Sequence, residues 1–141
     1  MIAVVDASVA MKWFLASRPT EDDAGKALQV LEGVVDGALD LRQPAHFVAE
    51  VSSVLARLKP DDALLDVRDL LELDFRRIDD PEIYAIGTDL AIELDHHVFD
   101  TLYHAVALAT PNATLITSDR RYYNKAYREG RIMMLGDWES A

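Results

Sequence analysis

Two short apolar runs, Ile2–Val5 and Ala113–Thr117, lie far apart in the chain, and both run out at an aspartate, Asp6 and Asp119. Runs of this length with little polar alternation suit strands covered on both faces, the condition of a parallel sheet. Between them the spacing turns helical. Ser8–Leu15 reads as one helix. A second carries Ala24, Leu28, Leu31 and Val35, with Thr20 as its cap, Glu21, Asp22 and Asp23 in its first turn, and Gly37 at its end. A third starts at Pro44, with Phe47, Val51, Val54, Leu55 and Leu58 as its stripe and Pro60 as its stop. Further helices are expected from Asp61, from Pro81 to about Leu94, from Asp100 through Ala109, and after Asp119. Asp40–Gln43, Phe75–Ile78 and Arg131–Leu135 read as additional strands. Strands alternating with helices predict an α/β fold, one domain over residues 1–141, with a central, mainly parallel sheet flanked by helices.

The chain is long enough, at 141 residues, to bury a core without staples, and it contains no cysteine. Disulfides and thiolate zinc sites are therefore excluded. The N-terminus lacks a basic segment followed by a long apolar one, and no apolar stretch reaches membrane-spanning length. A cytoplasmic protein with no membrane partner is expected. The formal net charge of −11 opposes binding to nucleic acid, whose phosphates are held largely by Lys and Arg. Divalent cations held by acids, or a local basic patch, offset that. Positive charge is bunched at Arg120, Arg121, Lys125, Arg128 and Arg131. The acidic excess also suits a basic protein partner.

In open parallel sheets a ligand site lies beyond the carboxyl ends of the strands, where Asp6 and Asp119 fall. Two more acids stand in apolar company on helices: Glu50 among Phe47, Val48, Ala49 and Val51, and Asp100 after Val98 and Phe99. Asp61, Asp62 and Glu72 read as solvated. Two carboxylates ~4 Å apart at an effective dielectric of ~20 repel by ~4 kcal/mol. Four acids brought together need protons or cations between them, and all-oxygen ligands suit Mg²⁺ or Mn²⁺. Each aspartate has a second reading, since an Asp after a strand or at a helix start is a common N-cap. Capping does not account for Glu50.

Four segments together resemble the PIN-domain ribonucleases, and within them the VapC toxins of bacterial toxin–antitoxin pairs. They are Val-Val-Asp6-Ala-Ser8, Pro44-Ala-His-Phe-Val-Ala-Glu50, Val98-Phe-Asp100-Thr-Leu-Tyr103, and Leu115-Ile-Thr117-Ser-Asp119-Arg-Arg. The resemblance covers nearly the whole chain. Ser53 stands where family members often carry Asn three residues after the Glu. The resemblance implies a three-layer domain in which Asp6, Asp100 and Asp119 hold Mg²⁺ or Mn²⁺ and Glu50 assists directly or through water. Ser8 and Thr117 would orient carboxylates, and Arg120 and Arg121 are candidate RNA contacts. It further implies endoribonucleolytic attack by water leaving a 5′-phosphate and a 3′-hydroxyl. It implies a small antitoxin that blocks the site with a basic side chain, and a homodimer.

The remaining features are read structurally. His96 and His97 are assigned structural or solvent roles, because adjacent histidines seldom point the same way. His104, one turn from Asp100, is expected to pack or to support the carboxylate. Trp13, Phe14 and Trp138 are read as core or interface residues. The leucine surplus at Leu64, Leu70 and Leu71 fits the core or a partner's groove equally well. Three other functions compete: a PIN nuclease with a processing or DNA-directed role, a receiver-like phosphoacceptor, and a catalytically silent binding module. The receiver reading requires a Lys soon after the Leu115–Thr117 strand, and none is there.

Overall fold

A computed structural model describes residues 1–18 and 22–140. The cap expected at Thr20, with Glu21, lies outside the described residues. The elements run β1 (Ile2–Val5), α1 (Ala7–Leu15), α2 (Ala24–Val35), β2 (Asp40–Pro44), α3 (Phe47–Leu58), α4 (Ala63–Glu72) and β3 (Phe75–Ile78). They continue with α5 (Pro81–Leu94), α6 (Val98–Ala109), β4 (Ala113–Thr117), α7 (Arg120–Ala126) and β5 (Ile132–Met134). The five strands form one sheet of order β3-β2-β1-β4-β5, and every pairing is parallel.

Hydrophobicity sets that order. Successive side chains of a strand point to opposite faces, so the complete burial of Ala3, Val4 and Val5 means that both faces of β1 are covered. β4 is buried likewise at Leu115, Ile116 and Thr117, and the two strands pair at the centre. Phe47, Leu55, Leu70 and Tyr103 fill the space between helices and sheet, giving three layers. β3 is an edge, and its exposed Arg76 and Arg77 discourage further strand pairing. Trp13 and Trp138 are core residues, and Trp13 donates to the Ala27 carbonyl at 2.9 Å.

Several boundaries differ from the sequence reading; β5, for one, spans Ile132–Met134 rather than Arg131–Leu135. Pro44 does not open α3. It closes β2, in register with Ile78, and two turn residues precede Phe47. A proline suits a strand end, where its missing N–H leaves the ladder intact. α4 begins at Ala63, with Asp62 at its cap position, rather than at Asp61. α6 begins at Val98, with His97 at its cap position, so Asp100 is a first-turn residue and not a cap. The leucine surplus divides: Leu70 is in the core, whereas Leu64, Leu65 and Leu71 are exposed.

Two contacts position the carboxyl edge of the sheet. β1 and β2 pair at Ile2 with Asp40 and at Ala3 with Leu41, and then separate. Where they part, the buried Gln43 side chain replaces the missing strand bonds. Its Oε1 accepts from the Val5 amide at 2.8 Å, and its Nε2 donates to the Val5 carbonyl at 2.7 Å. The residue before Asp6 is thereby held. At the crossing of α5 and α6, a Cβ on Gly87 would lie 2.8 Å from Leu102 Cδ2, so glycine permits the close approach. The Thr101 hydroxyl, next to Asp100, donates to the Gly87 carbonyl at 2.7 Å across that crossing.

Candidate metal centre

All four acids singled out in the sequence lie at the carboxyl edge of the sheet or on the first turns of helices above it. Asp6 follows β1 and is buried. Its Oδ2 accepts from the Ser8 amide at 3.2 Å, from the Ser8 hydroxyl, and from the Thr117 hydroxyl at 3.3 Å. The same two hydroxyls tie in β4: Ser8 Oγ accepts from the Ser118 amide, and Thr117 Oγ1 from the Asp119 amide, each at 3.0 Å. Asp119 Oδ1 accepts from the Tyr122 amide at 3.0 Å and so caps α7. Capping and metal binding are thus compatible. Each cap engages one carboxylate oxygen, Oδ2 of Asp6 and Oδ1 of Asp119, and leaves the other to a ligand.

Asp100 and Asp119 approach each other, and a third group joins them. Ligand atoms of His96, Asp100 and Asp119 all lie within 4.8 Å of one another. His96 Nε2 is 2.7 Å from Asp100 Oδ2, and its Nδ1 is 3.3 Å from Lys125 Nζ. An ammonium only donates, so Nδ1 accepts and the ring proton on Nε2 goes to Asp100. Lys125 is itself held by the Asp95 carbonyl at 2.7 Å. His96 therefore fixes the Asp100 carboxylate. The structural role read for the histidine pair is seen at His96, which holds the Asp100 carboxylate, and at His97, which takes the cap position of α6; what that reading missed is that a His96 ring nitrogen also lies beside Asp119. The four-residue spacing from His96 to Asp100 was the signal available in the sequence. His96→Ala is expected to weaken Mn²⁺ binding by roughly 10- to 100-fold, read by titration calorimetry. Unchanged affinity would remove His96 from the centre.

Among the described residues neither Asp6 nor Glu50 belongs to that close group; Glu50 stands in the first turn of α3, with Oε2 3.3 Å from His46 Nε2. Its charge nevertheless reaches the others. Burial, and after it the charges of Asp100 and Glu50, push the Asp6 carboxyl up to about 7 against the lowering effect of the Ser8 hydroxyl bond. Burial and the same acids raise Tyr103, and the Tyr103 hydroxyl is buried with no hydrogen-bond partner in the described structure. Carboxylates with unused oxygens, a strained buried acid and an orphaned hydroxyl among them fit a hydrated divalent cation.

His104 does not face the carboxylates. It is buried, accepts from the Tyr122 hydroxyl at Nδ1 (2.9 Å) and donates from Nε2 to the Gly130 carbonyl (2.8 Å). Burial lowers its pKa, which keeps it neutral in this role. It props Tyr122, whose amide holds Asp119. The basic run also divides. Arg131 donates to the Thr110 carbonyl at 2.7 Å at the end of α6, and Arg128 lies over the Tyr127 ring. Arg120 lies over Tyr123, while Arg121 lines a small cleft with Asp95, His96, His97 and Lys125 beside the acids.

The fold has relatives among known proteins. The family model of the PIN domain matches residues 3–127. A chain in the crystal structure of VapBC2 from Rickettsia felis bound to a DNA fragment from their promoter matches with a TM-score of 0.65 and 18% identity. The match covers 95% of the present chain and 97% of that chain, a likeness of fold at this identity. No curated protein sequence matches.

Proposed function

The chain belongs to the PIN domain family, and from that premise we propose that it is a metal-dependent endoribonuclease acting as the toxin of a VapBC-type pair. The observation that carries this reading is the approach of Asp100 and Asp119, whose carboxylates lie with a His96 ring nitrogen within 4.8 Å of one another, with Asp6 coupled through its charge to Asp100 and Glu50. Asp6, Asp100 and Asp119 would hold Mg²⁺ or Mn²⁺, with Glu50 assisting. When bound, the ion neutralises phosphate charge and activates water. The protein's part is positional. Ser8 and Thr117 hold Asp6, His96 holds Asp100, and the Tyr122 amide holds Asp119. Tyr103 has a hydroxyl proton to offer a ligand in the centre. Arg121 and Lys125 line the cleft beside it, where a neighbouring phosphate finds positive charge.

The VapBC2 assembly supports a small antitoxin as the partner class. Such a partner fits this surface if it is basic, because it would meet a net charge of −11 and a carboxylate cluster that its own cation can neutralise. The exposed Leu64, Leu65 and Leu71 add apolar surface for such a partner or for a second copy in a homodimer. The test is cleavage of total cellular RNA with Mn²⁺, with EDTA, and by Asp100→Asn. Discrete fragments with 5′-phosphates are expected with Mn²⁺ alone, and at least ~10³-fold slower cleavage by the variant. Equal cleavage by Asp100→Asn would show that the activity does not reside in these acids.

A further inference from the structure

A second concavity opens on the same sheet edge, at the carboxyl ends of β2 and β3. It measures about 310 Å³, and Pro44, His46, Ile78, Tyr84, Phe99 and Leu102 line it. Its volume is at the lower end of the range for small-molecule sites. Because all five strands are parallel, this cleft and the acid cluster after β1 and β4 are neighbours along one edge. His46 is the wall between them. Its Nε2 lies 2.7 Å from the Phe99 carbonyl and 3.3 Å from Glu50 Oε2. Its ring centroid lies 5.6 Å from that of Phe99 and 4.9 Å from that of Tyr103. Phe99 immediately precedes Asp100, yet its own side chain is 60% exposed, and that of Tyr84 is 47% exposed.

Resting on the nuclease reading above, we infer that this cleft is a subsite for an unpaired nucleobase of the RNA strand, next to the phosphate held at the acids. Charge decides the ligand class. Among the described residues no Lys or Arg lines the cleft, and its two titratable wall residues each face a carboxylate, His46 that of Glu50 and Tyr84 that of Asp79, so a phosphate gains nothing there. Exposed aromatic faces beside apolar walls suit a planar, uncharged ring. A chain of net charge −11 also repels a phosphate backbone overall, and stacking supplies affinity that does not depend on charge. Across the edge, the substrate then meets an apolar aromatic cleft, the acids, and the basic cleft at Arg121 and Lys125, in that spatial order. The arrangement selects single-stranded segments, because a paired base cannot enter the cleft.

The test compares wild type, Phe99→Ala, Phe99→Trp and Tyr84→Ala with Mn²⁺ on two single-stranded RNA oligonucleotides. One is intact, and the other carries an abasic ribose beside the mapped cleavage position. On the intact strand, Phe99→Ala and Tyr84→Ala are expected to raise KM about 5- to 100-fold, with kcat little changed. Phe99→Trp should restore KM. On the abasic strand, wild type and both alanine variants should share the same raised KM. An equal KM for Phe99→Ala and wild type on intact RNA overturns the subsite and leaves the nuclease reading standing. So does a loss in the variant that persists undiminished on the abasic strand. A sedimentation mass that halves in Phe99→Ala assigns the cleft to a second copy instead. Absence of cleavage by wild type overturns both readings.

Discussion

Asp6→Asn is expected to abolish metal-dependent RNA cleavage and, at the same time, to make the metal-free protein more stable above neutral pH. The first effect follows from loss of a charged ligand, with a drop of at least ~10³-fold in rate. The second follows from the position of Asp6. Its carboxyl is pushed up to about 7 by burial, with added repulsion from Asp100 and Glu50, against an ordinary value of 3.8. Between those two values the unfolded chain has released the proton while the folded chain keeps it. Folding stability therefore falls as pH rises from about 4 to 7, and the full deficit is present above 7. Its upper bound is about 4 kcal/mol for a difference of this size.

Asparagine has no charge to impose, and its amide oxygen still accepts the Ser8 amide bond that caps α1. In EDTA, the melting temperature of wild type relative to Asp6→Asn should fall between pH 5 and pH 8. Mn²⁺ should restore wild type at pH 8 and leave the variant nearly unmoved. A wild-type-to-variant difference that is flat with pH in EDTA would remove the strained carboxylate from the account.

Gln43→Leu is expected to be the most damaging single change outside the acids. Gln43 is fully buried, and its amide satisfies both the N–H and the C=O of Val5. Leucine matches its size but leaves two buried backbone groups unpaired, at about 1–3 kcal/mol each. A loss of about 2–6 kcal/mol is a large part of the stability of a small domain. The urea midpoint should fall without a change of slope, and the Val5 amide should lose protection from hydrogen exchange. Mn²⁺ affinity should fall with it, because Val5 leads directly into Asp6. A loss below about 0.5 kcal/mol would mean that water replaces the amide and that β1 needs no such brace.

The elements were largely legible because their causes are local. β1 and β4 announce themselves as apolar runs, and α5 spans Pro81–Leu94 as its opening proline and following spacing indicate. The ambiguous positions were those where one residue type serves two local structures. Pro44 opens a helix or closes a strand equally well in one dimension, and only its register with Ile78 decides. Asp100 reads as a cap until His97 takes the cap position. The spacing of His96 from Asp100 was visible in the sequence, but its nearness to Asp119 and Lys125, more than twenty residues away, was not.

By itself, then, the sequence determined the alternation of strands and helices, the two aspartates at strand ends, and the presence of Glu50 and Asp100 in apolar surroundings. These depend on neighbours in the chain, which composition and spacing report. Only the tertiary structure decided that Asp100 and Asp119 come together with His96 and that Asp6 is strained. It alone decided that a glutamine holds the strand leading into the site. Those outcomes depend on burial and on distances between residues far apart in sequence. Desolvation and charge repulsion act through space, and no local pattern encodes them.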